Sequence, residues 1–232
     1  MNKAYLLWLP AFLLFCSCAT NNVTGTGSET DTGCSVAGLI RYGNSMPVIH
    51  ADVILHDQRL TARATLSKRS VVTGLIRSGF TQTNINGVFH FDSVDTGGYL
   101  VEINDHDTLG AVLPAQIAQG DTLRNVNGTV RKFGTIVGKI DTTGIGKNKI
   151  VTIYLPELGR TVPVDSAGNF VVKNLPAWNY QMRLAVQDTI VRLPLDSILI
   201  PVKTAETTRI TSFGSKSGTV LIDGKIIENP IQ

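Results

Sequence analysis

The sequence predicts an all-β protein of two tandem antiparallel β-sandwiches, placed after a signal peptide and a flexible tether. Three observations predict it. The stretch "NINGVFHFDSVDTGGYLVEI" aligns without a gap with "DSAGNFVVKNLPAWNYQMRL", 81 positions downstream, pairing Gly87 with Gly168, Phe89 with Phe170, Phe91 with Val172, Val94 with Leu175 and Tyr99 with Tyr180. Upstream, at an offset of 100, Val36, Gly38 and Ile40 match Ile136, Gly138 and Ile140, while Ala51, Val53 and Leu55 match Val151, Ile153 and Leu155. Period-two spacing puts each trio on one face of a strand. Finally, charged residues are 17% and aromatics 6% of the 232 residues, with 22 Gly, a composition suited to short strands and turns. Two repeats of about 100 residues can each bury a core.

Taken in order, residues 1–17 open with Lys3 and continue through a mostly apolar run at 4–15. Twelve helical residues rise about 18 Å against the ~30 Å of a bilayer core, so this is a secretory leader and not a membrane span. The following "FCSC" resembles the lipobox of bacterial lipoproteins, with Ser17 before Cys18 as the residue to be lipidated. Cys16 is the rival, but it would place bulky Phe15 where a small residue is needed; a secreted protein with unmodified Cys18 is the other alternative. The resemblance implies a triacylated Cys18 and an effectively permanent lipid anchor. Ala19, where enteric lipoproteins kept in the inner membrane carry Asp, implies the outer membrane, with the leaflet undetermined. Residues 18–33 hold one apolar side chain of size, Val23, and are expected to form a flexible tether with a reach of about 20 Å and a limit near ~50 Å. Only Cys34 remains as a thiol, so no intrachain disulfide is expected.

The first sandwich is expected over residues 34–131 and the second over 132–212. The offset falls from 100 to 81, so repeat one carries nineteen extra residues, placed within about 57–80. "NING" and "DSAG" are hairpin turns, because Gly tolerates positive φ and Asn or Asp bonds its own backbone. Further strands are expected in "DTLGAVLP", "DTLRNVNGTV", "DTIVRLPL" and "TTRITSF", about seven short strands per repeat. Residues 213–232 belong to neither repeat; Asp223-Gly224 between "TVLI" and "KIIE" predicts a hairpin, expected to pair with repeat two or to dock on something else.

A small-x-V-x-L strand, a turn ending in Gly, F-x-F, then G-x-Y-x-V-x-I resembles the carboxypeptidase regulatory-like domains, relatives of Cna-B and transthyretin-like sandwiches. The elements stand here as Ala51, Val53, Leu55, Gly87, Phe89, Phe91, Gly98, Tyr99, Val101 and Ile103 and recur in repeat two, where Trp178-Asn179 replaces Gly97-Gly98. The resemblance implies that the two tandem antiparallel β-sandwiches are Ig-like or prealbumin-like, with a carbohydrate-binding-like fold, used as a spacer, adhesin stalk or accessory module and without catalytic residues. Some Cna-B domains carry an isopeptide bond from a strand-A Lys. Lys139 is in an early strand, but "TAETTRITSF" offers no convincing Asn or Asp, so no such bond is expected.

Candidate sites are few. Arg59, Arg63, Lys68, Arg69 and Arg77 against Asp57 give the insertion a local charge near +4, suited to acidic glycans or lipid phosphates or simply to a solvated loop. Trp178 in a turn and Tyr154 on the outward side of its strand are the aromatic candidates for stacking on sugar rings. All four histidines, His50, His56, His90 and His106, fall in repeat one, without tight ligand spacing, and no metal or other cofactor is expected. No G-x-S-x-G, H-E-x-x-H or Walker loop is present, which argues against an enzyme. A net charge of +3 is too small to call for nucleic acid. The reading is a membrane-anchored, non-catalytic cell-surface spacer or adhesin-like interaction module whose partner is a polysaccharide or another envelope protein, with a carbohydrate-binding accessory protein as the alternative.

Overall fold

A computed structural model describes residues 34–59, 79–140, 150–186, 189–191, 199–213, 220–222 and 225–227. The leader, Cys18, the tether and most of the insertion lie outside them. Residues 32–232 form one compact unit, and its described part is almost entirely β.

The first repeat supplies β1 (Cys34–Arg41), β2 (Asp52–Asp57), β3 (Gly79–Gln82), β4 (Val88–Val94), β5 (Gly97–Asp105), β6 (Leu109–Ile117), β7 (Leu123–Asn125), β8 (Gly128–Thr129) and β9 (Arg131–Lys132). The second supplies β10 (Gly134–Ile140), β11 (Val151–Leu155), β12 (Arg160–Pro163), β13 (Asn169–Leu175), β14 (Trp178–Gln181), β15 (Arg183–Val186), β16 (Thr189–Val191), β17 (Leu199–Val202) and β18 (Thr207–Phe213), followed by β19 (Val220–Ile222) and β20 (Lys225–Ile227). Strand order is β3-β2-β5-β6-β9 in one sheet of the first sandwich and β4-β1-β7 in the other, with β8 also on β1. In the second sandwich it is β12-β11-β15-β16 and β13-β10-β18-β19-β20, with β14 and β17 as a separate pair.

Most pairs are antiparallel, as expected. Each repeat departs once, because the late strands return beside the first strand in its own direction: β7 and β8 run parallel to β1, and β18 parallel to β10. At the C-terminus β19 pairs antiparallel to β18 and β20 to β19. The turn residues Asp223 and Gly224 lie outside the described residues. The position of β5 is split in the second repeat at Met182, so that β14 pairs with β17 while β15 pairs with β11 and β16.

The repeated grammar has a repeated physical cause. Gly87 and Gly168 take φ of +75° and +86°, and in each case the glycine carbonyl accepts the N–H of the strand opposite, Ile40 or Ile140, at 2.8 Å. Asn84 Oδ1 accepts the N–H groups of Asn86 and Val88, and Asp165 Oδ1 those of Ala167 and Asn169. Gly38 and Gly138 leave room for the rings of Phe89 and Phe170, which a Cβ would meet at 2.6 and 2.5 Å. The Tyr99 hydroxyl donates to the Asp95 carbonyl at 3.0 Å and that of Tyr180 to Pro176 at 2.8 Å, which ties each corner to the strand that follows it. The strand before each corner carries a left-handed residue at its penultimate position, Ser93 and Asn174, at φ of 54° and 55°.

Two apolar clusters result. One holds Val36, Ile40, Val53, Leu55, Phe89, Tyr99 and Ile103; the other holds Ile136, Ile153, Leu155, Phe170, Tyr180 and Ile210. Leu100 and Val112 of the first repeat pack into the second cluster. They belong to the sheet side that period-two alternation turns away from the first core.

The turn glycines are the sharpest local constraint. A Cβ at residue 168 would sit 2.3 Å from the Ile140 carbonyl oxygen with φ held at +86°, whereas at residue 43 it would meet nothing within 4 Å. Gly168→Ala is expected to cost about 1–3 kcal/mol and Gly43→Ala less than about 0.5 kcal/mol, read as midpoint shifts in denaturant titrations.

Candidate functional site

Two neighbourhoods carry polar chemistry. The first joins the repeats. Glu102 on β5 is almost fully buried, with its side chain 3% exposed. His56 Nε2 on β2 lies 2.8 Å from Glu102 Oε2, and Arg160 Nη2, at the start of β12, donates to Oε1. Arg160 also donates to the Asn174 carbonyl at 2.8 Å, and Gln58 Nε2 reaches the Glu157 carbonyl at 3.3 Å. Burial pushes the Glu102 pKa up, but the His56 hydrogen bond and the Arg160 guanidinium outweigh it and hold the carboxyl below its ordinary range. The carboxylate therefore links a strand of one sandwich to a strand of the other.

Beside it the 3-10 turn Pro156–Leu158 buries Leu158 and carries Glu157. Glu157 Oε1 accepts the Gln181 N–H at 2.8 Å, while its Oε2, Tyr154 Oη and Arg183 Nε are buried without partners. Burial pushes the Glu157 carboxyl above the ordinary range.

The second neighbourhood is a cleft of about 550 Å³ at the end of the first sandwich, bounded by the end of β2, the start of β3 and the β4–β5 corner. Its floor is an ordered pair. Arg59 Nε lies 3.0 Å from Asp57 Oδ1 and Nη2 lies 2.7 Å from Oδ2, while Asp57 itself is buried. Nη2 also donates to Tyr99 Oη at 2.9 Å, Nη1 donates to the Thr96 carbonyl, and the guanidinium stands 5.6 Å from the Tyr99 ring centroid. Burial raises the Tyr99 pKa, so its hydroxyl keeps its proton at neutral pH. Phe80, 53% exposed, and the exposed Asp92, Ser93 and Asp95 complete the rim.

The aromatic candidates need correction. Tyr154 is fully buried, not outward-facing to solvent, because the outer side of β11 is covered. Alternation fixes which side of a sheet a residue takes, not whether water reaches that side. Trp178 is only partly exposed and packs on the second core. In the insertion, Arg59 is described and is engaged with Asp57, while Arg63, Lys68, Arg69 and Arg77 lie outside the described residues, as does Cys18. The histidines do not converge. His56 is buried on Glu102, His90 lies 3.4 Å from Asp92, His106 lies 2.6 Å from Asp105, and His50 is exposed. Among the described residues no three His, Cys, Asp or Glu side chains stand close enough to hold a metal. Cys34 is buried, with Sγ 3.2 Å from the Ser35 carbonyl.

Sequence reasoning missed the Glu102 joint. Its one visible signal is an acid inside "GYLVEI", where the matching residue of repeat two is Arg183 and neither strand offers a local partner.

Fold and site together define a tandem β-sandwich protein. No sequence-family model and no curated protein matches the chain. Among solved structures it is similar to the Bacillus anthracis TIE protein, at 12% identity and a TM-score of 0.32, covering 78% of this chain and 33% of that one, so it spans a third of that protein's length. It is similar to GBS52, the minor pilin of Streptococcus agalactiae, at 11% identity and a TM-score of 0.31, over 77% of this chain and 94% of that one. It is also similar to the shaft pilin SpaA of Lactobacillus rhamnosus, at 11% identity and a TM-score of 0.28, over 78% and 96%.

Glu102 and Glu157 have opposite pH signatures. Glu102 has a folded pKa below the ordinary glutamate range, so its stabilisation is complete above that range and disappears as acid protonates it. Glu102→Gln leaves Arg160 without its carboxylate and is expected to cost about 3 kcal/mol at pH 7 and to flatten the acid side of the stability profile. Glu157 has a raised folded pKa, so stability falls as pH rises through it. Glu157→Gln keeps an acceptor for the Gln181 N–H and is expected to raise the melting temperature at pH 7 but not at pH 4, read by calorimetry at both values.

Proposed function

We propose that the chain is a lipid-anchored, non-catalytic protein of the outer membrane whose two sandwiches act together as a surface spacer and interaction module. The observation that carries this reading is the joint. A buried carboxylate bonded from both repeats, with Leu100 and Val112 packed into the neighbouring core, makes two ordinary sandwiches one mechanical unit. A spacer needs that property, because a freely hinged pair of domains transmits position poorly. The anchoring half of the reading is carried by "FCSC", where Ser17 precedes Cys18, and by the polar run that follows it.

Anchoring at the outer membrane is supported by Ala19, and the absence of nucleophile and metal motifs in the sequence favours a binding role over a hydrolytic one. Cys18→Ala is expected to abolish incorporation of a fatty-acid probe and to leave an unprocessed precursor. The wild-type chain should fractionate with outer-membrane markers. Persistent labelling of the variant would reject Cys18 as the lipidated residue, and labelled wild type in the inner-membrane fraction would reject the assigned membrane.

A further inference from the structure

The duplication provides an internal control on which features the fold requires and which it has added. The tyrosine corner, the turn glycine and an acid at the close of the second strand or just past it occur twice, as Tyr99, Gly87 and the buried Asp57, then as Tyr180, Gly168 and the half-buried Glu157. The residues that open the cleft occur once. Arg59, Asp92, Asp95 and Gly97 correspond to Gly159, Lys173, Pro176 and Trp178 in the second repeat. Trp178 packs on its core, whereas at Gly97 a Cβ would strike the Arg59 guanidinium at 2.8 Å. One copy has closed this corner with an indole, and the other has left it open and lined it with charge.

We infer that this cleft in the first sandwich is a binding site for a neutral hexose or pentose unit of a glycan. The inference makes specific the interaction role assigned above and does not depend on the lipid anchor. The chemistry of the lining narrows the ligand. Arg59 uses four of its five N–H groups on Asp57, Tyr99 and Thr96, which leaves one donor. Asp92 and Asp95 add exposed carboxylate acceptors. An anion meets those carboxylates, and a cation meets the guanidinium. A ring bearing several hydroxyls, each both donor and acceptor, satisfies both without placing charge against like charge. The half-exposed Phe80 ring supplies a flat apolar surface for the C–H face of a sugar, and a volume near 550 Å³ is in the range of small-molecule sites.

The test uses the purified full chain in detergent and saturation-transfer NMR with methyl glycosides of glucose, galactose, mannose and xylose. At least one glycoside is expected to show transfer. Phe80→Ala and Asp95→Asn, both at exposed positions, are expected to weaken it at least tenfold with an unchanged circular dichroism spectrum, while Trp178→Phe leaves it intact. Absence of transfer from all four overturns the inference. So does transfer that survives both cleft variants, or that disappears only with Trp178→Phe. None of these results touches the fatty-acid labelling that tests the anchored reading.

Discussion

Glu102 is a carboxylate with almost no access to water, and in an apolar interior such a group costs several kcal/mol unless its oxygens are matched. Both are matched, one by His56 on the neighbouring strand of its own sheet and the other by Arg160 from the second repeat. The repeats cannot separate without exposing or orphaning that charge. Much of the remaining arrangement follows from this constraint. Leu100 and Val112 flank the same outward face and become core residues of the other sandwich, and Arg160 is also bonded to the carbonyl of Asn174 at the second corner.

Beneath the joint, each sandwich is held by the same short list of devices: a glycine in the left-handed region, a side-chain oxygen closing the hairpin, a phenylalanine packed on a strand glycine, and a tyrosine hydroxyl on a carbonyl four residues back. These are backbone requirements, met by few residue types. That is why they persist at both offsets while most surface positions have diverged. Divergence is concentrated at the ends. The first repeat has an arginine-aspartate pair and an open cleft where the second has a 3-10 turn and a partly buried tryptophan. A duplicated scaffold allows this, because each copy retains the same backbone devices whatever its corner displays.

Glu102 and Glu157 also show how neighbouring acids are driven apart. Glu102 is bonded by His56 and by the Arg160 guanidinium, and its carboxyl is held below the ordinary range. Glu157 is half-buried, with one oxygen bonded to a backbone N–H and the other enclosed without a partner, so desolvation dominates. The difference is one of placement within a few residues of the same joint.

The amino-acid sequence alone determined the β class, the doubling, the two turn glycines and the inward trios, because period two, positive φ and a fixed offset are local properties of the chain. It also identified Arg59 as a residue of interest, without its partner. Only the tertiary structure decided that β7, β8 and β18 run parallel to the first strands, that Tyr154 is buried, and that Glu102 meets Arg160, 58 residues away in sequence. Those outcomes depend on which outward faces are covered by another part of the molecule. Alternation along a strand assigns a side chain to one side of a sheet, and what lies on that side is set by contacts between distant segments.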